Sequence, residues 1–159
     1  MISHPIAPFC PEGAQILVLG SFPSVASREM GFYYGHRQNR FWRVLASLYN
    51  CSLPSTIEEK QRLLSDMGIA VWDVIASCEI TGSADNSIRS VIPNDIGLIL
   101  ETLPIERIFV NGKTAEKYYN RYIKDRVGRK AILLPSTSPA NAAWELDRLI
   151  EAWRAITNR

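Results

Sequence analysis

The chain has 159 residues, 47% hydrophobic and 21% charged, the length and balance of one compact globular domain rather than of a disordered segment or a two-domain protein. Lys and Arg number 18 and Asp and Glu 16, a formal charge of +2, so no global field points to a polyanionic partner. Cys10, Cys51 and Cys78 form no CxxC or Cys/His spacing, which argues against a disulfide framework, a zinc site or an iron–sulfur cluster and fits a reduced, cytoplasmic compartment. The start, Met1 to Pro11, lacks the basic and apolar regions of a signal peptide, and no run of about 18 apolar residues offers a membrane span.

Short apolar runs alternate with stretches of helical period, the rhythm of a parallel α/β sheet. Gln15 to Leu19 reads as a first buried strand and opens into a long polar and aromatic loop, Gly20 to Gln38. Loops of this length inside a compact domain tend to be functional. Asn39 is placed to cap a helix with Phe41, Trp42, Leu45, Ala46, Leu48 and Tyr49 mostly on one face. Thr56 with Glu59 forms a capping box for a second helix, which Gly68 ends.

A second strand is expected over Ile69 to Ile75, followed by another long polar loop, Ala76 to Pro93. Asn94 and Asp95 offer caps for a short helix through Leu103. A third strand, Arg107 to Val110, stops at Asn111-Gly112 and turns into a helix with Ala115, Tyr118, Tyr119 and Tyr122. The basic stretch Arg121 to Lys130 reads as a solvated helix end. A fourth strand, Ala131 to Leu134, ends in Pro135-Ser136-Thr137-Ser138-Pro139 and leads into a closing helix with Trp144, Leu146, Leu149, Ile150 and Trp153.

This pattern predicts a three-layer α/β/α sandwich with a central four-stranded parallel sheet, in which ligands sit beyond the carboxyl ends of the strands. Four loops must meet there: Gly20 to Gln38, Ala76 to Pro93, Asn111-Gly112 and Ser136 to Pro139. They are rich in hydroxyls, glycine, aromatic rings and amides and hold no Walker loop, GxGxxG motif, GxSxG elbow or paired metal-binding histidines. The two Ser/Pro turns, Gly20 to Ser24 and Ser136 to Pro139, suit a phosphate grip through N–H groups and hydroxyls, and equally suit plain turn chemistry. Between Gly31 and Trp42, aromatic rings on a glycine-flanked loop suit stacking on a flat base. Alternatively Phe32, Tyr33 and Tyr34 plug the core; Phe41 and Trp42 read as core in either case.

Gly20-Ser21-Phe22-Pro23-Ser24, the Tyr34-Gly35-His36-Arg37-Gln38-Asn39-Arg40-Phe41-Trp42 stretch, Ser83 to Ile88, Asn111-Gly112-Lys113 and Leu134 to Asn141 follow one another in an order that resembles the uracil-DNA glycosylase superfamily. Within it the chain is most similar to the hypoxanthine-DNA (deoxyinosine) glycosylases. The resemblance implies an α/β/α sandwich that flips a damaged base out of DNA and hydrolyses its N-glycosidic bond, with DNA containing deaminated bases as partner, no metal or organic cofactor and no obligate protein partner, the enzyme acting as a monomer.

Phe22 stands where mismatch-specific relatives carry a water-activating Asn and other branches an Asp, and Ser136 to Ser138 occupy a stretch where better-known members carry a His. The resemblance therefore assigns water positioning to Asn39, whose place also makes it a helix cap. An amide suffices if departure of the base leaves an oxocarbenium-like sugar, because water then needs orientation more than strong deprotonation. It further implies that Tyr34 stacks on the base, that Ser21 and Phe22 line the pocket, and that Ser24, Arg40, Ser136, Thr137, Ser138 and Pro139 contact the DNA. Asn111 reads as a base contact or as an Asn-Gly turn, and Asp85 as a group that orients water or reads a purine N–H, or as an ordinary loop residue. His36 ranks low as a general acid. A uracil or mismatch-specific enzyme of the same fold, and a catalytically silent damaged-DNA-binding module, are the rival readings.

Overall fold

A computed structural model describes residues 1–158. In chain order the strands and helices are β1 (Ile2–Ser3), β2 (Ile16–Gly20), α1 (Val25–Met30), α2 (Phe41–Tyr49), α3 (Ile57–Met67), β3 (Ile69–Asp73), β4 (Ile75–Glu79), β5 (Arg89–Pro93), α4 (Ile96–Thr102), β6 (Arg107–Asn111), α5 (Lys113–Tyr122), α6 (Lys124–Val127), β7 (Ile132–Leu134) and α7 (Leu146–Trp153). The main sheet has the order β3-β2-β6-β7 and is parallel throughout, as the sequence predicts.

The alternation of side chains along the strands divides the core in two. Ile16 and Val18 of β2 and Phe109 of β6 join Phe41, Trp42 and Leu45 of α2, Leu63 and Leu64 of α3, and Leu149 and Trp153 of α7 on one face. Leu17, Leu19, Ile108 and Val110 join Ile96 and Ile99 of α4 and Ala115, Tyr118 and Tyr119 of α5 on the other. With both faces covered, β2 is buried at every position, which is why it reads as an unbroken apolar run.

Thr56 caps α3 by accepting from Glu59 N at 3.1 Å, and its hydroxyl donates to the Glu59 carboxylate, the expected capping box. Gly68, at φ 70°, ends the helix.

Four expectations are corrected. The strand expected over Ile69 to Ile75 is two strands broken at Val74, because Val74 N and Ile75 N donate to Gly20 O and Ser21 O and turn the chain out of the main sheet. The loop expected over Ala76 to Pro93 instead contributes β4 and β5 to a second, antiparallel sheet of order β1-β4-β5. Between them, Asp85–Ser87 form a single 3₁₀ turn. The Gly20 to Gln38 loop contains α1, capped by Ser24 Oγ, which accepts from Ser27 N at 3.1 Å. Asn94 does not cap α4; its amide donates to Asp73 O at 2.8 Å and Ile75 O at 3.2 Å, bracing the break between the two strands.

Candidate active site

The carboxyl ends of β2, β3, β6 and β7 open into one cavity of about 240 Å³. Its walls come from Gly20 to Ser24, Tyr34, His36, Asn39, Asp73, Asp85, Asn111 and Ser136 to Ala140, so every predicted loop reaches it. The volume lies below the range of about 300–1,000 Å³ typical of drug-sized ligands, a scale that suits a single flat ring system. A second groove of about 500 Å³ shares the Asp85, Asn111, Ser136 and Ser138 walls and runs on past Lys113, Pro135, Asn141 and Trp144.

Tyr34 is the aromatic face of the cavity. Its half-buried ring stacks on Phe41 with centroids 3.9 Å apart, and Phe41 meets Trp153 edge-on at 5.8 Å. Phe32 and Tyr33 are core, as are Phe41 and Trp42. Tyr34 has φ 53°, a left-handed conformation that is costly for a bulky residue and is often found at ligand sites. Its hydroxyl is buried without a hydrogen-bond partner. Burial and the neighbouring Asp73 carboxylate hold the phenol well above the ordinary tyrosine range.

Asn39 lies at the mouth, half-buried. The helix starts one residue later than expected, with Arg40 in the N-cap position, yet Asn39 Oδ1 accepts from Phe41 N at 2.9 Å. The amide therefore keeps the capping function from just outside the helix. That bond fixes its orientation and leaves a lone pair on Oδ1 and the Nδ2 donors for other partners.

Arg40 departs from the expected phosphate contact. Its guanidinium donates to the carbonyls of Trp144, Ser138 (2.9 Å) and Asn141 (3.1 Å), and Arg40 N donates to Thr137 O at 3.0 Å. The side chain thus bolts α2 to the turn after β7. Thr137 is likewise structural: it is fully buried, its N–H donates to Asn111 Oδ1 at 3.1 Å, and its hydroxyl accepts from Asn111 Nδ2 at 3.0 Å. The same pair of bonds makes Asn111 a staple between two strand ends, with one N–H left at the cavity wall.

Ser136 and Ser138 accept from Ser138 N and Ala140 N through their hydroxyl oxygens, at 3.1 and 3.2 Å. A hydroxyl that accepts in this way retains its own O–H to donate. Ser24 Oγ, by contrast, is engaged at both ends, accepting from Ser27 N and donating to Ser27 Oγ at 3.1 Å. Pro139 closes the rim. The turn approaches closely because residue 112 is glycine: a Cβ there would lie 2.9 Å from Ser136 Cβ.

Phe22 forms the floor, buried against the second core face. Ser21 Oγ lies 3.5 Å from Asp85 Oδ1. Asp85 stays exposed at the mouth, but the surrounding walls desolvate its carboxyl and raise its pKa against the hydrogen bonds from Thr114 and Ser21. His36 Nδ1 accepts from Gln38 N at 3.1 Å, a local turn contact.

Sequence reasoning missed Asp73. It is 3% exposed, lines the cavity at the end of β3, and its Oδ2 lies 2.8 Å from His4 Nε2. Its Oδ1 faces Gly20 so closely that a Cβ on that residue would sit 2.4 Å away. The signal available was a lone carboxylate inside the apolar run Ile69 to Ile75, since buried acids are rare unless partnered.

The profile of the Uracil DNA glycosylase superfamily matches residues 7–157. The chain belongs to this superfamily. Among curated relatives of this superfamily member, a hypoxanthine DNA glycosylase of Methanosarcina acetivorans is 33% identical over 147 residues, covering 91% of each chain. A hypoxanthine DNA glycosylase of Methanosarcina barkeri is 31% identical over 136 residues, covering 84% of this chain and 85% of its own. A Methanosarcina acetivorans protein solved by solution NMR and assigned to uracil DNA glycosylase superposes with a TM-score of 0.81 at 28% identity, covering 99% of this chain and all of its own. Among the described residues of this glycosylase-family chain no helix is long and apolar enough to cross a membrane, and no group of three or more His, Cys, Asp or Glu is placed to hold a metal ion.

Proposed function

We propose that this chain is a monofunctional DNA glycosylase that removes hypoxanthine from deoxyinosine in DNA. The observation that carries the reading is the pairing, in one base-sized cavity, of the stacking ring Tyr34 with the oriented amide Asn39 and the buried carboxylate Asp73. Both curated relatives carry the same activity in their names.

In this reading the flipped base lies against Tyr34, extending the stack built on Phe41. Adenine presents a lone pair at N1, whereas its deamination product presents N1–H beside a carbonyl. Asp73 Oδ1 accepts that N1–H. Asn39 Oδ1 accepts a hydrogen bond from water and aims its oxygen at C1′. The O–C1′ bond forms as C1′–N9 breaks, the electron pair leaves with the base, which takes up a proton, and the water's excess proton passes to solvent. Phe22, in the place where relatives carry a polar residue, leaves this task to Asn39.

No lysine lines the cavity among the described residues; Lys113 belongs to the neighbouring groove. A Schiff base with C1′, and with it strand cleavage, therefore has no nucleophile. The free hydroxyl protons of Ser136 and Ser138 and the N–H groups around Ser21 suit the flanking phosphates. Three unpaired cysteines fit a reducing compartment, and the chain acts there as a single-domain monomer on DNA.

The test is excision from labelled duplexes containing deoxyinosine or deoxyuridine, with and without alkali, by the wild type and by Asn39→Ala. Breaks at inosine that appear only after alkali, and their loss by at least about 100-fold in single turnovers of Asn39→Ala, support the reading. Losing the cap costs about 1 kcal/mol, so the variant stays folded and its duplex binding persists. Cleavage at uracil alone, or undiminished excision by Asn39→Ala, refutes it.

A further inference from the structure

We infer that His4, outside every motif of the resemblance, is a positioning residue that sets which base edge the cavity accepts; the inference rests on the proposed role of Asp73. The segment before β2 reaches the site by pairing with the second sheet, Ile2 opposite Cys78 and Ser3 opposite Ser77, and His4 N donates to Ala76 O at 2.6 Å. The imidazole is thereby held at 3% side-chain exposure, edge-on to Phe22 at 5.8 Å and tilted against Tyr33 at 6.1 Å. Tyr33 secures the next stretch by donating to Ala7 O at 2.8 Å.

The hydrogen bonds fix the tautomer. Ile6 N donates to His4 Nδ1 at 3.2 Å, so Nδ1 is the acceptor and the ring proton sits on Nε2. Nε2–H then donates to Asp73 Oδ2 at 2.8 Å. With Oδ2 fixed by that donor, Oδ1 is the oxygen left to accept at the cavity wall. Oδ1, beside Gly20 and the Tyr34 hydroxyl, therefore welcomes a ring N–H and repels the lone pair that the parent base carries at the same place.

Without the imidazole, Oδ2 loses its donor and the carboxylate is free to turn away from the base edge. Once turned, Oδ1 no longer meets the N1 position, and a ring N–H and a lone pair there are told apart less well. His4 thus contributes discrimination, and does so without touching the base.

The experiment compares wild type, His4→Leu and His4→Gln in two assays: single-turnover excision of deoxyinosine, and inhibition of that excision by free hypoxanthine and free adenine. Wild type should be inhibited at least about tenfold more strongly by hypoxanthine, the scale of one charge-assisted hydrogen bond. His4→Leu should bring the two bases within about threefold of each other and slow excision about tenfold; His4→Gln, whose amide N–H can take the place of Nε2–H, should restore both. Equal inhibition of the wild type by the two bases overturns the proposal without any variant. So does a folded His4→Leu that excises slowly but keeps the wild-type ratio, the mark of a structural role, or a His4→Gln of wild-type thermal stability that restores neither. A wild type that leaves deoxyinosine intact refutes the activity itself, an outcome separate from these.

Discussion

Replacing Gly20 by alanine tests the carboxylate's placement with a single methyl group. The new Cβ would stand 2.4 Å from Asp73 Oδ1 and 3.1 Å from Tyr34 Oη, so Oδ1 must retreat by about 1 Å to reach ordinary contact. The backbone cannot supply that movement: Gly20 and Asp73 are paired across β2 and β3, and Asp73 O is held by Asn94 at 2.8 Å. The side chain must rotate instead, away from His4 Nε2. Overpacking costs about 1–3 kcal/mol, and weakening a charge-assisted hydrogen bond adds about 1 kcal/mol or more. The expected total is about 3 kcal/mol in urea unfolding with an unchanged slope against denaturant. Deoxyinosine excision should fall about 100-fold, the usual cost of a 1 Å misplacement. Adding Asp73→Ala should relieve the overpacking but leave His4 Nε2–H unpaired, recovering only part of the stability and none of the activity. A Gly20→Ala protein within twofold of wild-type excision would refute the placement of Asp73 at the base.

Arg40→Lys removes a planar fork that holds three carbonyls together; it should lower stability by about 2–3 kcal/mol and leave the slope of log Kd against log salt for duplex DNA unchanged. A phosphate contact would instead reduce that slope by about one. Burial and the Asp73 carboxylate hold the Tyr33 and Tyr34 phenols above their ordinary range. Because folding raises these pKa values, the stability they contribute is complete below the unfolded value near pH 10 and is lost above it. Each should subtract about 1.4 kcal/mol per pH unit there. Urea titrations across that range check this, and Tyr33→Phe should make the decline shallower.

The parallel sheet was legible because strands covered on both faces carry unbroken apolar runs, and α3 because Thr56, Glu59 and Gly68 mark both ends. The second sheet was not. β5 is mostly exposed or half-buried, β1 has two residues, and neither shows an alternation strong enough to separate it from a loop. The loops the sequence brings to the sheet edge carry Tyr34, Asn39 and the serine turns, and all of them line the cavity. Residue type misplaced Arg40 and Thr137, whose chemistry suits phosphate but whose partners are carbonyls and an amide from distant parts of the chain. Asp73 was hidden by its apolar neighbours and His4 by a proline-rich start, and only the packing of two sheets against each other brings them together.

The bolt between Arg40 and the carbonyl of Trp144 joins residues 104 apart in sequence, and the His4–Asp73 contact spans 69. Closing loops of that length has to precede any reward from the contacts that close them. On a ribosome the amino-terminal two thirds of the chain emerges with Asn39, Tyr34 and Asp73 already made, yet with nothing to hold the start of α2 against the turn after β7. The cavity is walled on every side only once the turn after β7 is in place, so chains cut short before it lack both the Arg40 bolt and the Ser136 to Ala140 wall.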